Sequence, residues 1–293
     1  LKLFLHKATR SSPFLHLDMG SLNGPPTKIA KTKDPADHEA TLRVHCAAAY
    51  RLAARFGWDT KSIYNHITVR CGEGAKGEPH FLINPFGLDF SEITASSLMK
   101  LDLDGNIIDR GNTDLTCNLA GFVIHSAVHA HRPDMHCVIH SHHRDVVTAC
   151  STKHGLLPCT LEACKLWPLV SEKIHAFEGI SCDEDERERI QKALGDSAEI
   201  LLMSNHGSVV CGGSVGAALI NMLELVNACQ TQVTMMQAVG GCVEDLTLVP
   251  PEVVSKTRAK AGKVQERTAR EVGALEMEAW LRVLDRDDPT YRN

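Results

Sequence analysis

Residues 137–142 read CVIHSH, an apolar and β-branched run that carries two histidines two positions apart. Such a run predicts a buried strand. Side chains at positions i and i+2 of a strand leave the same face, so His140 and His142 are expected to point the same way. Imidazole is the commonest metal ligand among protein side chains. The run is therefore both a predicted buried strand and the carrier of a candidate ligand pair.

Strand and helix patterns alternate on both sides of this run. Upstream, the sequence predicts an amphipathic helix over residues 37–57, followed by a hairpin formed by SIYNHITVRC and HFLINPF. A short capped helix at SEITASS, two short strands around Asp104-Gly105, and a helix that ends at Pro133 come next. Downstream, the sequence predicts a helix in DVVTACSTK, an acidic-to-basic helix in EDERERIQKALG with a solvated charged face, a strand pair in AEILLMSNHGSVVCGG, and a long helix that two glycines end. Strands interspersed with helices around one apolar system predict an α/β domain.

Changes in composition divide the 293 residues into three segments. Residues 1–33 mix Ser, Pro, Gly and Lys without a period and predict a loose arm. Residues 34–248 hold the α/β domain, and residues 249–293 predict a helical tail. No run approaches the ~18 to 20 apolar residues that cross a bilayer, and the first residues do not resemble a cleaved signal peptide. We therefore expect a cytoplasmic protein without a membrane span.

Charge and cysteine usage exclude several classes of protein. A formal charge of −5, from 31 Lys+Arg and 36 Asp+Glu, gives no reason to expect a nucleic-acid partner. The 11 cysteines are scattered and contain no C-x-x-C pair, so they predict neither a disulfide framework nor a zinc ribbon. The unusual feature is the number of histidines, which is 16.

A third metal ligand is available in the segment SNHGSVV. His206 follows a predicted strand and precedes a glycine, which permits close approach of the backbone. Catalytic zinc sites use three protein ligands and leave a fourth position for water or substrate. From these residues alone a metal site and ordinary buried histidines both remain open, and His143, beside the pair, fits a solvated residue.

Seven segments in order resemble one known family. They are YNHITVR, HFLINPFG, SEITASSLMKLDLDGNIIDRG, AGFVIHSAVHAHRPD, CVIHSH, SNHGSVV and NACQTQV. The chain from about residue 37 to 248 is similar to the class II aldolase/adducin family, and within it to the head domain of adducins. The resemblance implies a three-layer α/β/α fold with a mainly antiparallel central sheet. It also implies a homo-oligomer, a tetramer or dimer, with active sites at subunit boundaries.

The resemblance also implies the role of the three histidines. His140, His142 and His206 would hold a divalent ion, zinc first, with manganese, cobalt or iron(II) as alternatives that accept the same imidazoles. In the family's enzymes the ion stabilises the negative charge that develops during C–C cleavage.

The sequence departs from the pattern of the family's sugar-phosphate aldolases. Gly121 stands where those enzymes carry a general-base glutamate. The positions that bind substrate phosphate hold Leu119 and Ala120, Asn65 and His66, and Phe86 and Gly87. These replacements remove small hydroxyls or open backbone where a dianion needs donors, so we expect a non-phosphorylated substrate. His66, Phe86, Gly87 and Gly121 are the candidate pocket residues.

Two residues are candidates for the missing acid or base. Glu162 follows the ligand strand, near where related epimerases place an acid that reaches the neighbouring subunit's site, and His125 lies on the preceding helix. Each also has an ordinary structural interpretation. Glu162 suits the N-terminus of a helix, where a carboxylate is favoured, and His125 suits a packed helix position.

Three functions follow from these residues and the resemblance. The first is a metal-dependent lyase-type enzyme that acts on a non-phosphorylated carbonyl or carboxylated small molecule, by aldol cleavage or decarboxylation through an enolate. The second is a non-catalytic, adducin-like scaffold that binds actin and spectrin at the cytoskeleton. The third is an iron(II) oxygenase. The resemblance ties actin binding to a basic tail, and residues 249–293 contain no lysine-rich run, so we favour the enzyme.

Overall fold

The computed structural model of the chain describes residues 35–179, 184–268 and 270–293. The predicted N-terminal arm, residues 1–33, lies outside these ranges. Among the described residues, no helix is both long enough and apolar enough to cross a membrane.

The described residues form one sheet of seven strands. These are β1 (His66–Glu73), β2 (Pro79–Ile83), β3 (Met99–Leu101), β4 (Ile107–Asp109), β5 (Cys137–Ser141), β6 (Ile200–Met203) and β7 (Gly207–Gly212). Their order is β4-β3-β2-β1-β5-β7-β6, and every paired neighbour is antiparallel. Isolated parallel bridges join Val170 to Ile200 and His175 to Met203. The predicted histidine-bearing strand is β5, and it lies between β1 and β7.

Helices cover both faces of this sheet. They are α1 (Pro35–Phe56), α2 (Leu119–His131), α3 (Arg144–Cys150), α4 (Leu161–Leu166), α5 (Glu184–Leu194), α6 (Val215–Ala238), α7 (Pro251–Thr268) and α8 (Ala274–Asp287). The predicted hairpin is β1–β2, and the predicted turn at Asp104-Gly105 joins β3 to β4. Gly105 has a φ of +84°, which explains a glycine at that turn.

Side-chain alternation along β5 separates the two helical layers. Cys137 and Ile139 join the apolar cluster that contains α1 and α6, whereas Val138 joins the cluster formed by α2 and α5. His140 is two residues beyond Val138 and therefore faces the α2 side. The protein has the predicted three-layer α/β/α fold, with its candidate ligand strand in the middle layer.

Two local predictions need correction. The predicted helix at SEITASS is only a 3-10 turn, Phe90–Glu92, capped by Asp89, because Ile93 is already extended with a ψ of 131°. The charged face of α5 is not fully solvated. Glu186 is buried, and its carboxylate lies 3.7 Å from His175 Nε2.

The C-terminal segment packs on the α1 face of the sheet. Arg51 and Arg55 of α1 form ion pairs with Asp288 and Asp287, at 3.0 and 2.7 Å. The backbone oxygen of Tyr291 accepts a hydrogen bond from Ala95 N. This segment therefore lies on the face of the sheet opposite His140.

Candidate metal centre

The end of β5 and one tight turn bring the three predicted histidines together. His140 lies in β5, His142 follows its last residue, and His206 is in the turn between β6 and β7. A Cβ at Gly207 would lie 2.3 Å from the backbone oxygen of Ser141, so only glycine lets the turn approach β5 this closely. Asn205 in the same turn has a φ of +55°. This close approach is what the sequence predicted for the glycine after His206.

The imidazole nitrogens of the three residues converge. One ring nitrogen from each lies within 4.8 Å of the others, and His140 Nε2 is 3.0 Å from His142 Nε2. Two nitrogens bound to one tetrahedral zinc ion lie about 3.3 Å apart, given bonds of about 2.0–2.1 Å. The spacing therefore suits a shared ion with little movement of the side chains.

Neighbouring backbone and side-chain groups orient the ligands. His140 Nδ1 is 3.0 Å from the backbone oxygen of Ser208, and this oxygen can only accept, so Nδ1 carries the proton. Nε2 of His140 is then the lone-pair atom and faces the other two rings. Asn65 Oδ1 accepts a hydrogen bond from His142 N at 2.8 Å, which fixes the chain at the end of β5.

Burial keeps the three imidazoles neutral. It is the largest cause that lowers the pKa of His140 well below its ordinary value, with smaller effects from the neighbouring histidines. Burial also lowers the pKa of His142. Burial, then His142 and His175, lowers the pKa of His206 to about 4. Neutral imidazole is the form that binds metals, so the donor set fits zinc, manganese, cobalt or iron(II).

The three histidines line a cavity of about 450 Å³. Its other described lining residues are Ser62, Tyr64, His66, Asn118, Ala120, Gly121, Ile124, Phe177 and Gly179. No Lys, Arg, Asp or Glu occurs among the described residues of this lining. The cavity therefore offers hydroxyl, amide and imidazole groups beside an apolar wall, with no side chain that would neutralise a dianion.

The four candidate pocket residues separate into two pairs. His66 and Gly121 line the cavity, whereas Phe86 and Gly87 are not among its described lining residues. Phe86 instead contacts a lining residue, with its ring centroid 5.6 Å from that of Tyr64.

His125 lies behind the cavity wall in a buried hydrogen-bond chain. Thr68 Oγ1 is 2.8 Å from both His125 Nδ1 and His129 Nε2. His129 Nδ1 is 3.2 Å from the backbone oxygen of Met135. His125 is not among the described lining residues, so the structure places it as a neighbour of the centre rather than at its surface.

Glu162 lies in the first turn of α4, where Thr160 Oγ1 caps the helix by accepting a hydrogen bond from Ala163 N. It is half-buried and does not belong to the described lining of the cavity. Its reach into the site of a neighbouring subunit stays a prediction.

The burial of His143 corrects a third expectation. It is only 9% exposed, so it is buried rather than solvated. It stands at the N-terminal boundary of α3, and its Nδ1 has no hydrogen-bond partner among the described residues.

No pattern in the sequence points to the part of the wall formed by Phe177 and Gly179. The ring of Phe177 lies 6.0 Å from that of His206. The bridge between His175 and Met203 holds this segment beside β6. Residues 171–179 contain no helix or named strand, so no periodicity in the sequence could have placed them at the centre.

Comparisons with known proteins agree with this architecture. Residues 44–233 match the family described as the class II aldolase and adducin N-terminal domain. Alpha-adducin of Mus musculus is 42% identical over 251 residues, which are 84% of this chain and 33% of that protein. The chain therefore spans about a third of the length of this relative.

Two solved structures share the fold over nearly their whole length. One is an aldolase II superfamily protein from Pseudomonas syringae, with 38% identity, a TM-score of 0.76, and 87% of this chain and 96% of that one covered. The other is L-fuculose 1-phosphate aldolase from Glaciozyma antarctica PI12, with 26% identity, a TM-score of 0.74, and 92% and 97% covered. The chain belongs to the class II aldolase and adducin N-terminal domain family.

Proposed function

We propose that the chain is a metal-dependent lyase-type enzyme that acts on a non-phosphorylated carbonyl or carboxylated small molecule. The reaction is aldol cleavage or decarboxylation through an enolate. The observation that carries the proposal is the convergence of three neutral imidazoles, His140, His142 and His206, on a cavity without charged side chains in its described lining.

A divalent cation held by these imidazoles would supply positive charge that stabilises the charge developing on a substrate oxygen. Other residues of the chain hold and orient the ligand histidines. The Ser208 carbonyl fixes the tautomer of His140, and Asn65 anchors the backbone of His142. The rings of Tyr64 and Phe177 add aromatic surface to the lining of the cavity.

The lining supports a non-phosphorylated substrate. A phosphate dianion is usually held by Arg or Lys side chains or by several backbone donors. Here the N-terminal end of α2 reaches the cavity through Asn118, Ala120 and Gly121, and Asn118 Oδ1 accepts a hydrogen bond from Gly121 N at 3.3 Å. The partial positive charge of this helix end remains available to a carbonyl or carboxylate oxygen.

Zinc is the proposed ion, because three imidazoles with an open position are a frequent catalytic zinc set. Manganese, cobalt and iron(II) are the alternatives. We further propose a cytoplasmic homo-oligomer, a tetramer or dimer, in which Glu162 contributes to the site of the adjacent subunit.

Exchange of α-protons tests the enolate chemistry. Dihydroxyacetone in D2O is followed by proton NMR with zinc-loaded protein, with chelated protein and with His140→Ala. We expect loss of the α-proton signal with the zinc-loaded wild type only, and no faster exchange for dihydroxyacetone phosphate. Equal exchange in all three samples would contradict the proposal. Oxygen uptake with iron(II)-loaded protein would instead favour the oxygenase.

The similarity to alpha-adducin favours one second candidate, a non-catalytic scaffold that binds actin. Co-sedimentation with actin filaments separates the two functions. Binding at micromolar protein by both the wild type and His140→Ala would support the scaffold, and negligible binding would remove it for this chain.

A further inference from the structure

We propose that His66 is the residue of this cavity that recognises an uncharged oxygen, a hydroxyl or a carbonyl, on a small molecule held at the His140–His142–His206 centre. The inference rests on the proposed function and deepens it by naming the substrate class. The sequence predicts His66 as a pocket residue but assigns it no role.

The position of His66 places its ring beside the centre. In the β1–β5 pairing His66 is directly opposite His140, so both side chains leave the same face of the sheet. His66 is 2% exposed and lines the cavity. Neither of its ring nitrogens has a hydrogen-bond partner among the described residues. Buried polar atoms in native proteins are nearly always satisfied, so this ring is expected to receive its partner from the cavity.

Gly121 makes room for the ring. A Cβ at position 121 would lie 2.5 Å from His66 Cε1 and 2.7 Å from His66 Nδ1. The imidazole therefore occupies the space that any other residue at position 121 would need. His66 and Gly121 form a matched pair at the N-terminal end of α2, although 55 positions separate them in the sequence.

The hydrogen-bond chain behind His66 has a fixed direction. The Met135 oxygen can only accept, so His129 Nδ1 carries a proton and His129 Nε2 accepts from the hydroxyl of Thr68. The Thr68 oxygen then accepts from His125 Nδ1. The chain holds the His125 ring edge-on to His66, with ring centroids 6.1 Å apart and an interplanar angle of 84°. His125 thus lies beside His66 without a hydrogen bond to it, and neither buried nitrogen of His66 has a hydrogen-bond partner among the described residues.

The hydrogen-bonding capacity of His66 determines which ligand groups it can bind. A neutral imidazole offers one donor and one acceptor, which matches a hydroxyl group and, through its donor, a carbonyl oxygen. A phosphate dianion needs several donors and a compensating charge. The described lining supplies no such charge.

Two hydroxamates test the inference. Acetohydroxamate and glycolohydroxamate both chelate metals and differ by one hydroxyl group. Their dissociation constants are measured on the cobalt(II)-loaded full chain from the visible spectrum of the ion. We expect the wild type to prefer glycolohydroxamate by about 5- to 10-fold, the contribution of one hydrogen bond. His66→Leu is expected to abolish this preference, and His66→Gln to restore part of it.

The controls distinguish the possible failures. His45→Leu alters a largely buried histidine of α1, on the other layer, and should keep the preference. If His66→Leu does not fold, His66→Val replaces it. Failure of the wild type to bind cobalt would overturn the proposed function itself. Normal cobalt binding by a wild type that does not prefer glycolohydroxamate would overturn the inference alone. A preference that His66→Leu and His66→Val both keep would do the same.

Discussion

Two groups of histidines lie on the same side of the central sheet and differ in how their nitrogens are used. In the first, His140, His142 and His206 turn nitrogen atoms towards one another. In the second, His125 and His129 bond to Thr68, and His129 also bonds to the Met135 oxygen. Both groups are held neutral by burial.

Burial and residue type alone therefore do not identify a ligand set. The hydrogen-bond chain ends in a backbone carbonyl and stabilises the packing of α2 on β1. In the convergent group, His140 Nε2 lies 3.0 Å from His142 Nε2, and a shared cation would bind both nitrogens in place of the proton between them. Changes in the first group should therefore affect metal binding, and changes in the second should affect stability.

The largest expected effect is the loss of metal from His140→Ala. Removal of one of three ligands should lower the affinity for zinc by at least about 100-fold, since even the loss of an outer-shell partner costs about 10- to 100-fold. Elemental analysis after dialysis measures the zinc content of each chain. His136→Ala, an exposed histidine just before β5, is the matched control and should keep its zinc. Equal zinc in both variants would contradict the ligand assignment.

Thr68→Val should affect stability and leave the metal in place. The valine has a similar shape but leaves His125 and His129 without their shared partner, which we expect to cost about 2 kcal/mol of unfolding free energy. Urea unfolding measures this cost, and zinc stoichiometry measured alongside should not change. Loss of zinc without loss of stability would reverse the roles of the two groups.

Gly121→Ala tests the matched pair. The added methyl group meets the His66 ring, so we expect a loss of about 1–2 kcal/mol. The double variant with His66→Ala should lose less than the sum of the two single variants. Additive losses would show that the two residues do not share this space.

The pH dependence of stability should report the buried neutral histidines. Burial, with a smaller effect from Arg292, lowers the pKa of His45 to about 4, and burial lowers that of His129 to about 3. As the pH falls, the histidines of the unfolded chain take up protons before those of the folded chain. The contribution of these histidines to the free energy of unfolding is therefore complete above about pH 6.5 and is lost as the pH falls through their pKa values in the folded chain. Urea titrations from pH 7 to 4 measure the slope. His45→Gln should flatten it by an amount on the order of 1 kcal/mol at pH 5, and an unchanged slope would contradict the assignment.

Local patterns in the sequence were sufficient for β5, the β1–β2 hairpin and the glycine turn at His206. Each depends on alternation or on a turn residue within a few positions. The pairing of His66 with Gly121 could not be predicted, because it requires the register of β1 against β5 and the placement of α2. The chain from His125 through Thr68 to His129 depends on the same long-range packing, and so does the burial of Glu186 against His175.

Anomalous diffraction from a zinc-loaded crystal would show whether His140, His142 and His206 bind one metal ion. We expect one zinc peak per chain, at about 2.0–2.1 Å from a ring nitrogen of each of His140, His142 and His206, with its open side towards the cavity that His66 lines. A fully loaded crystal with no peak among these three rings, or with its zinc elsewhere on the chain, would contradict this expectation.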